Sequence, residues 1–260
     1  MIDICAIASG SNGNCYYIGN SEDAVLVDVG ISRKQVMSRM FHNKLNPSKI
    51  RAIFITHEHS DHFRGVRVLS QKLGIPVYMT SKTWDNSWTP DRPANVNLFQ
   101  PGDVIKTGSF EVHTFLKNHD AAEPCSFRIE YNKINVGVFT DIGEACDNVK
   151  HHLNLCHALF LESNYDEDML WSGAYPYYLK TRVASAHGHL SNKQAKELLF
   201  EHHNPELQVV FLSHLSAENN RPEIAKSAFV EFTDKFVVKV TNRYDASEVF
   251  TFNEEQLTTR

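Results

Sequence analysis

Seven residues, Thr56-His57-Glu58-His59-Ser60-Asp61-His62, follow directly on the apolar run Ala52-Ile53-Phe54-Ile55. A β-branched run feeding three imidazoles and the Asp61 carboxylate reads as a buried strand that ends in a metal-binding loop. One loop does not fill a coordination sphere, so the fold must bring other ligand-bearing chain segments to the same place.

The spacing narrows the chemistry. His57 and His59 are two residues apart, so an extended or loop backbone aims both at one cation, while Asp61 and His62 are adjacent and offset in direction. That arrangement suits two neighbouring cations better than one. A helical H-E-x-x-H zinc site needs two histidines four apart on one face, and this stretch has no such pair.

Around this loop stand 260 residues, 42% of them hydrophobic, which suits a packed globular protein and argues against disorder. No repeat or flexible linker interrupts the pattern, so one domain over 1–260 is expected. A formal charge of -5 and a pI near 6.3 argue against a general basic surface for nucleic acid. A local attraction survives that balance: two divalent cations set against two carboxylates leave a site roughly two charges positive, a focused attractor for phosphate. Cys5, Cys15, Cys125, Cys146 and Cys156 are odd in number, include no C-x-x-C pair and read as reduced thiols. No apolar segment approaches the ~18 to 20 residues that span a bilayer, and Met1-Ile2-Asp3-Ile4 reads as a strand start. A cytoplasmic location is expected, with no membrane contact and no obligatory protein partner.

Apolar runs at 2–8, 24–27, 110–116, 134–139, 158–162 and 209–213 read as strands, and they alternate with helical patterns, an α/β order. Helices are expected over 32–42, with Val36, Met37 and Met40 inward, and over 63–73, stopping at Gly74. Residues 169–182 have no regular period, and 236–240 read as the closing strand. Asp28, His119, Asp141 and His214 each fall at a run's end. Taken alone, Asp28 is equally a turn former and His119 a surface residue. Ser9-Gly10-Ser11-Asn12-Gly13-Asn14 is either a plain hairpin turn or a set of small donors for phosphate. Ser191 and Gln194 form a capping box, which places His187 and His189 just outside a helix start, a ready anion site. Lys180 and Arg182 stand among Trp171, Tyr175, Tyr177 and Tyr178, either a base-stacking surface or a core-covering loop with snorkelling cations.

His57-x-His59-x-Asp61-His62 resembles the H-x-H-x-D-H signature of the metallo-β-lactamase superfamily. That resemblance implies an α/β (α+β) fold, the four-layer αββα sandwich, with a dinuclear site along one edge. It implies that His57, His59 and His119 hold one divalent ion, that Asp61, His62 and His214 hold the other, and that Asp141 bridges them. Zinc and manganese both suit such donors. Asp28 would order the histidine loop through hydrogen bonds. The familiar β-lactamases of this superfamily carry Cys where Asp141 stands, so antibiotic hydrolysis is disfavoured against the thioesterase and phosphodiesterase branches. Only 72 residues separate Asp141 from His214, too few for the inserted domain of the β-CASP ribonucleases.

The narrower pieces S-G-S-N-G-N, F-T-D-I-G, M-L-W-S-G-x-Y-P, G-H-L-S-N and S-H-L-S-x-E-N-N-R-P resemble the YycJ/WalJ-type subgroup, from Ile7 to about Ala225. That subgroup is associated with 5′-to-3′ exonuclease activity on DNA. The likeness implies catalytic roles for Asp61, which would orient a hydroxide, and for His189, which would contact the scissile phosphate or protonate the leaving oxygen. Ser9, Ser11, Asn12, His187, Lys180 and Arg182 are the expected phosphate contacts. One departure is Tyr165, where the subgroup often has His, so a substrate contact there is expected to differ. A thioester or lactone hydrolase on the same site is the alternative and expects no dependence on Lys180, Arg182 or the serine turn. A non-catalytic metal-binding interaction protein is the third, disfavoured by the complete ligand set.

Overall fold

The apolar runs become strands of two mixed sheets in the computed structural model, which describes residues 1–252; residues 253–260, the end of the expected domain, lie outside the described residues. The first sheet takes β1 (Ile2–Ala8), β2 (Cys15–Gly19), β3 (Ala24–Val27), β4 (Ile50–Phe54), β5 (Val77–Thr80) and β6 (Val96–Phe99) in sequence order. The second takes β7 (Val104–Thr107), β8 (Phe110–Leu116), β9 (Cys125–Tyr131), β10 (Ile134–Phe139), β11 (Ala158–Glu162), β12 (Val209–Ser213) and β13 (Val237–Val240). A last strand, β14 (Phe250–Phe252), returns to the first sheet beside β1.

The sheets pack face to face on a shared core that includes Tyr16, Phe54, Phe127, Phe160 and Phe211. Helices cover both outer faces. On the first sheet these include α1 (Arg33–His42), α2 (Ser60–Phe63), α3 (Val66–Leu73) and α4 (Ser81–Asn86), burying Val36, Met40, Phe63 and Leu69. The second half of the chain adds α5 (Asp147–Leu153), α6 (Glu167–Ser172), α7 (Tyr177–Val183), α8 (Asn192–His202) and α9 (Pro222–Ala228). Val149, Leu199 and Phe229 pack on the outer face of the second sheet. The layers are αββα, as expected. Strands covered on both faces need no polar side, which is why β3, β11 and β12 read as unbroken apolar runs.

Three expectations are corrected. The helix expected over 63–73 breaks at Arg64 and Gly65, because Gly65 donates its N–H to Val29 O at 2.9 Å and passes so close to Ile31 that a Cβ would lie 2.0 Å from its carbonyl oxygen. Residues 169–182 are not irregular but hold most of two short helices, α6 and α7; Asp166 caps the first by accepting the Met169 N–H at 3.0 Å. Each is too short for an apolar period to show. β13 does not close the chain, since the three-residue β14 follows it.

Parallel pairing decides where the chemistry sits. β3 runs parallel to β4, and β10, β11 and β12 run parallel to one another, so their C-terminal ends share one edge of the sandwich.

Candidate metal centre

Strand ends deliver the candidate ligands. Asp28 follows β3, the Thr56–His62 loop follows β4, and His119, Asp141 and His214 follow β8, β10 and β12. Ligand atoms of His57, His59 and His119 lie within 4.8 Å of one another, as do those of Asp61, His62 and His214. Asp141 joins the two sets. Its Oδ2 is 3.2 Å from His62 Nε2, and its Oδ1 is 3.8 Å from His119 Nε2 and 3.6 Å from His214 Nε2. Asp28, Asp141 and His214 adopt left-handed backbone, with φ of 59°, 56° and 57°. That conformation costs non-glycine residues energy, though Asp and His tolerate it better than most, and it turns the chain sharply just where a strand stops.

The histidines are anchored from behind. His62 Nδ1 donates to Asp28 Oδ2 at 2.7 Å, and Asp28 also accepts the Thr56 N–H and hydroxyl, each at 2.9 Å. Thr56 Oγ1, its proton given to Asp28, accepts from His57 Nδ1 at 2.9 Å. His119 Nδ1 donates to Gly188 O at 3.0 Å, and His214 Nδ1 to Glu162 Oε1 at 2.9 Å. Each of these four rings has its proton on the outer nitrogen, so a neutral ring turns the Nε2 lone pair to the centre.

That arrangement needs positive charge in the middle. Nε2 of His119 and Nε2 of His214 are buried without a hydrogen-bond partner, and Oδ2 of Asp141 has only His62 Nε2 beside it, at 3.2 Å. Nε2 of His57 faces Nδ1 of His59 at 3.1 Å. Buried lone pairs set against lone pairs are costly unless a cation lies among them, and metal-ligating histidines ordinarily have such a second anchor. The donor set therefore fits divalent cations.

Titration tells the same story. Burial opposes charge on His62 and His214, but Asp141 and the neighbouring carboxylates outweigh it, holding His62 well above the usual imidazole range and pushing His214 up to about 10. At His119 burial wins and lowers the ring to about 3. In the metal-free chain at pH 7, His62 and His214 thus carry protons that a cation must displace. A ligand ring has to be neutral, so cation affinity should rise with pH towards about 10, and loading should release protons. Calorimetric metal titration at pH 7 in two buffers of different ionisation enthalpy should give different heats; equal heats would contradict this.

Residues 8–173 match the family model described as the metallo-beta-lactamase superfamily, more than half of the chain. The chain belongs to the metallo-β-lactamase superfamily. Within the superfamily it is 37% identical over 223 residues to exodeoxyribonuclease YycJ of Bacillus anthracis, covering 85% of this chain and 84% of that one. It is 34% identical over 229 residues to exodeoxyribonuclease WalJ of Streptococcus pneumoniae, covering 86% and 85%. These relatives support the YycJ/WalJ-type subgroup. The crystal structure of the metallo-beta-lactamase fold protein YhfI from Bacillus subtilis superposes with a TM-score of 0.71 at 18% identity, covering 95% of this chain and 98% of that one. At that identity the likeness concerns the fold.

Beside these candidate ligands lies a cavity of about 210 Å³, lined by His59, Asp61, His119, Asp141, His189 and His214, with Ser11, Arg182 and His187 on its walls. His189 Nδ1 donates to Glu162 Oε1 at 2.8 Å, which leaves Nε2 as the ring's other polar atom. Glu162 is the residue that sequence reading misses, because it looks like the last position of a buried strand. Fully buried, it accepts from His189 and His214 through Oε1, and from the N–H groups of Ile142 and Leu190 through Oε2 at 2.7 and 3.1 Å. Burial alone would raise its pKa, but the two imidazoles bring it down to about 2. A signal was present: a carboxylate at the end of an apolar strand, the position that Asp28 and Asp141 also hold. Asn14 is a second omission; its amide nitrogen lies 3.1 Å from His62 Nε2.

Three of the six expected phosphate contacts fall outside this cavity. Ser9 is buried, accepts the His214 N–H at 2.8 Å and bonds Tyr16 Oη at 3.0 Å, so its hydroxyl is used within the protein to fix the backbone at His214. Asn12 lines a neighbouring cavity and bonds Arg243. Lys180 donates to Trp171 O at 2.7 Å and braces the turn between α6 and α7. The helix start at Ser191 is filled: Asn192 N donates to Tyr165 O at 2.8 Å, and the anion held just before it is Glu162. Tyr165 is buried and is not among the residues that line the cavity. Glu58 Oε1 accepts the Ala122 N–H at 2.8 Å and ties down the turn after His119.

Proposed function

We propose that the chain is a metal-dependent hydrolase that shortens DNA from its 5′ end, holding two divalent ions, zinc or manganese. One ion would sit among His57, His59 and His119 and the other among Asp61, His62 and His214, with Asp141 shared. The observation that carries this reading is the wall of the cavity. Apart from Val183 and Gly188 its lining side chains are polar or charged, and Arg182 and His187 are among them. An acyl thioester or lactone needs an apolar pocket for its chain, whereas a phosphodiester needs donors and cations. The exodeoxyribonuclease relatives agree with that choice.

Bound metal ions would supply Lewis-acid activation of water and neutralisation of phosphoryl charge. The chain supplies the rest. Asp61 lies with Oδ2 3.6 Å from His214 Nε2 and lines the cavity, where its carboxylate orients the attacking water. His189, fixed through Nδ1 by Glu162, offers Nε2 to the scissile phosphate or to the leaving 3′-oxygen, which needs a proton. Arg182 is held by Asp120 at 2.9 Å and presents its remaining donors to phosphate. Five unpaired cysteines support a cytoplasmic site of action.

The deciding experiment gives the metal-loaded protein DNA labelled at either end, RNA, and acyl esters. A 5′ label should be released first as mononucleotide while a 3′ label stays on a shrinking strand. Release of the 3′ label first, or turnover of acyl esters alone, would remove the reading.

A further inference from the structure

A second cavity, of about 570 Å³, adjoins the metal pocket, and its lining includes Arg33, Lys34, Arg39, Arg64 and Arg243. None of its lining residues is acidic. On a chain of formal charge -5, five cations around one hollow are a concentration that the overall balance does not predict.

The wall between the two cavities is one loop and one helical turn. Ser11 lines the metal pocket and Asn12, the next residue, lines the basic one; Asp61 lines the first and Arg64, three residues on, the second. Arg64 donates to Gly30 O at 2.8 Å and to Asn12 O. Arg243 donates to Asn12 Oδ1 at 3.0 Å and to Leu215 O at 2.7 Å, just after the ligand His214. Arg39 donates to Ile7 O at 2.9 Å and to Tyr244 O, with Asp245 acting on it across space. These arginines are held by backbone carbonyls, which fix the guanidinium without neutralising it.

Arg33 and Lys34 are exposed and occupy the first turn of α1, which contains no acidic residue. The positive end of a helix dipole disfavours cations there. A local rule broken without structural gain points to a ligand.

We propose that this cavity binds the phosphodiester backbone of a nucleic-acid strand whose scissile phosphate lies in the metal pocket, so that the part of the substrate not being cleaved is gripped through its charge. This rests on the nuclease reading and extends it. Contacts of this kind carry no sequence preference and weaken with salt.

The test uses the metal-loaded full chain and a 5′-phosphorylated, phosphorothioate-linked DNA strand that resists cleavage, followed by fluorescence anisotropy across a salt series. R33E/K34E should weaken binding by about tenfold or more and lower the salt slope by about two, and R33Q/K34Q should fall between it and the native chain. K106E/K133E, which makes the same change in net charge at exposed positions of the second sheet, in β7 and in the turn between β9 and β10, is the comparison. Wild-type affinity and slope in R33E/K34E, equal weakening by both pairs, or no binding by the native chain would each overturn the proposal. So would loss of pyrophosphate binding alone in R33E/K34E, which would mark a site for free anions. Cleavage of unmodified DNA is read separately: if the native chain binds the resistant strand through this cavity yet cleaves no DNA, the nuclease reading fails and the cavity stands.

Discussion

Asp141→Asn is expected to remove nearly all hydrolysis, by about a thousandfold or more, while leaving the fold intact. The loss follows from where the carboxylate sits, buried between His62, His119 and His214. Losing its charge weakens both half-sites together, and metal-ion catalysis is worth several kcal/mol of transition-state stabilisation. Asn is the informative substitution because the backbone at this position has φ of 56°, and Asn accepts left-handed geometry that Ala resists. The amide also satisfies the facing His62 nitrogen, so the variant should show native circular dichroism. Asp141→Ala should be as inactive and less stable. Wild-type turnover in a folded Asp141→Asn variant would sink the shared-carboxylate arrangement.

Glu162→Gln is expected to lower kcat by about a hundredfold, with little change in KM for DNA. The residue touches no substrate; it positions His189 and His214 through one oxygen and is itself fixed by two backbone N–H groups through the other. Replacing either oxygen by an amide nitrogen sets a donor against donors. Outer contacts of this kind change metal affinity or activity by about 10–100-fold, and a displaced proton donor adds to that. Two readouts separate positioning from simple loss of structure. The pH profile should change shape, and affinity for a cation at His214 should fall more than affinity for one at His57, His59 and His119. A parallel fall in both affinities with an unchanged profile would contradict the role.

The legible part of this site is the part written as strand ends. Short polar motifs after apolar runs, read together with the family resemblance, pointed to His57, His59, Asp61, His62, His119, Asp141 and His214, and the structure brings all seven to one edge. Parallel pairing is what makes such reading work, because it aligns the strands' ends. Glu162 escaped since its work is done by contacts across β11 and the His189 loop, which no local spacing encodes. Ser9 and Lys180 looked like donors to substrate, yet their donor groups are used within the protein. The basic cavity was illegible for a related reason: Arg33, Lys34 and Arg39 come from one helix, Arg64 from a loop and Arg243 from the far end of the chain, and only the fold collects them.

The central claim is that two cations sharing Asp141 perform the hydrolysis. Native mass spectrometry of the chelated chain during stepwise return of zinc or manganese, with exonuclease rate measured on the same samples, tests it most directly. The rate should rise with the species carrying two ions per chain, and Asp141→Asn should fail to accumulate that species. Full exonuclease activity in the metal-free chain, or in a species carrying one ion, would contradict it.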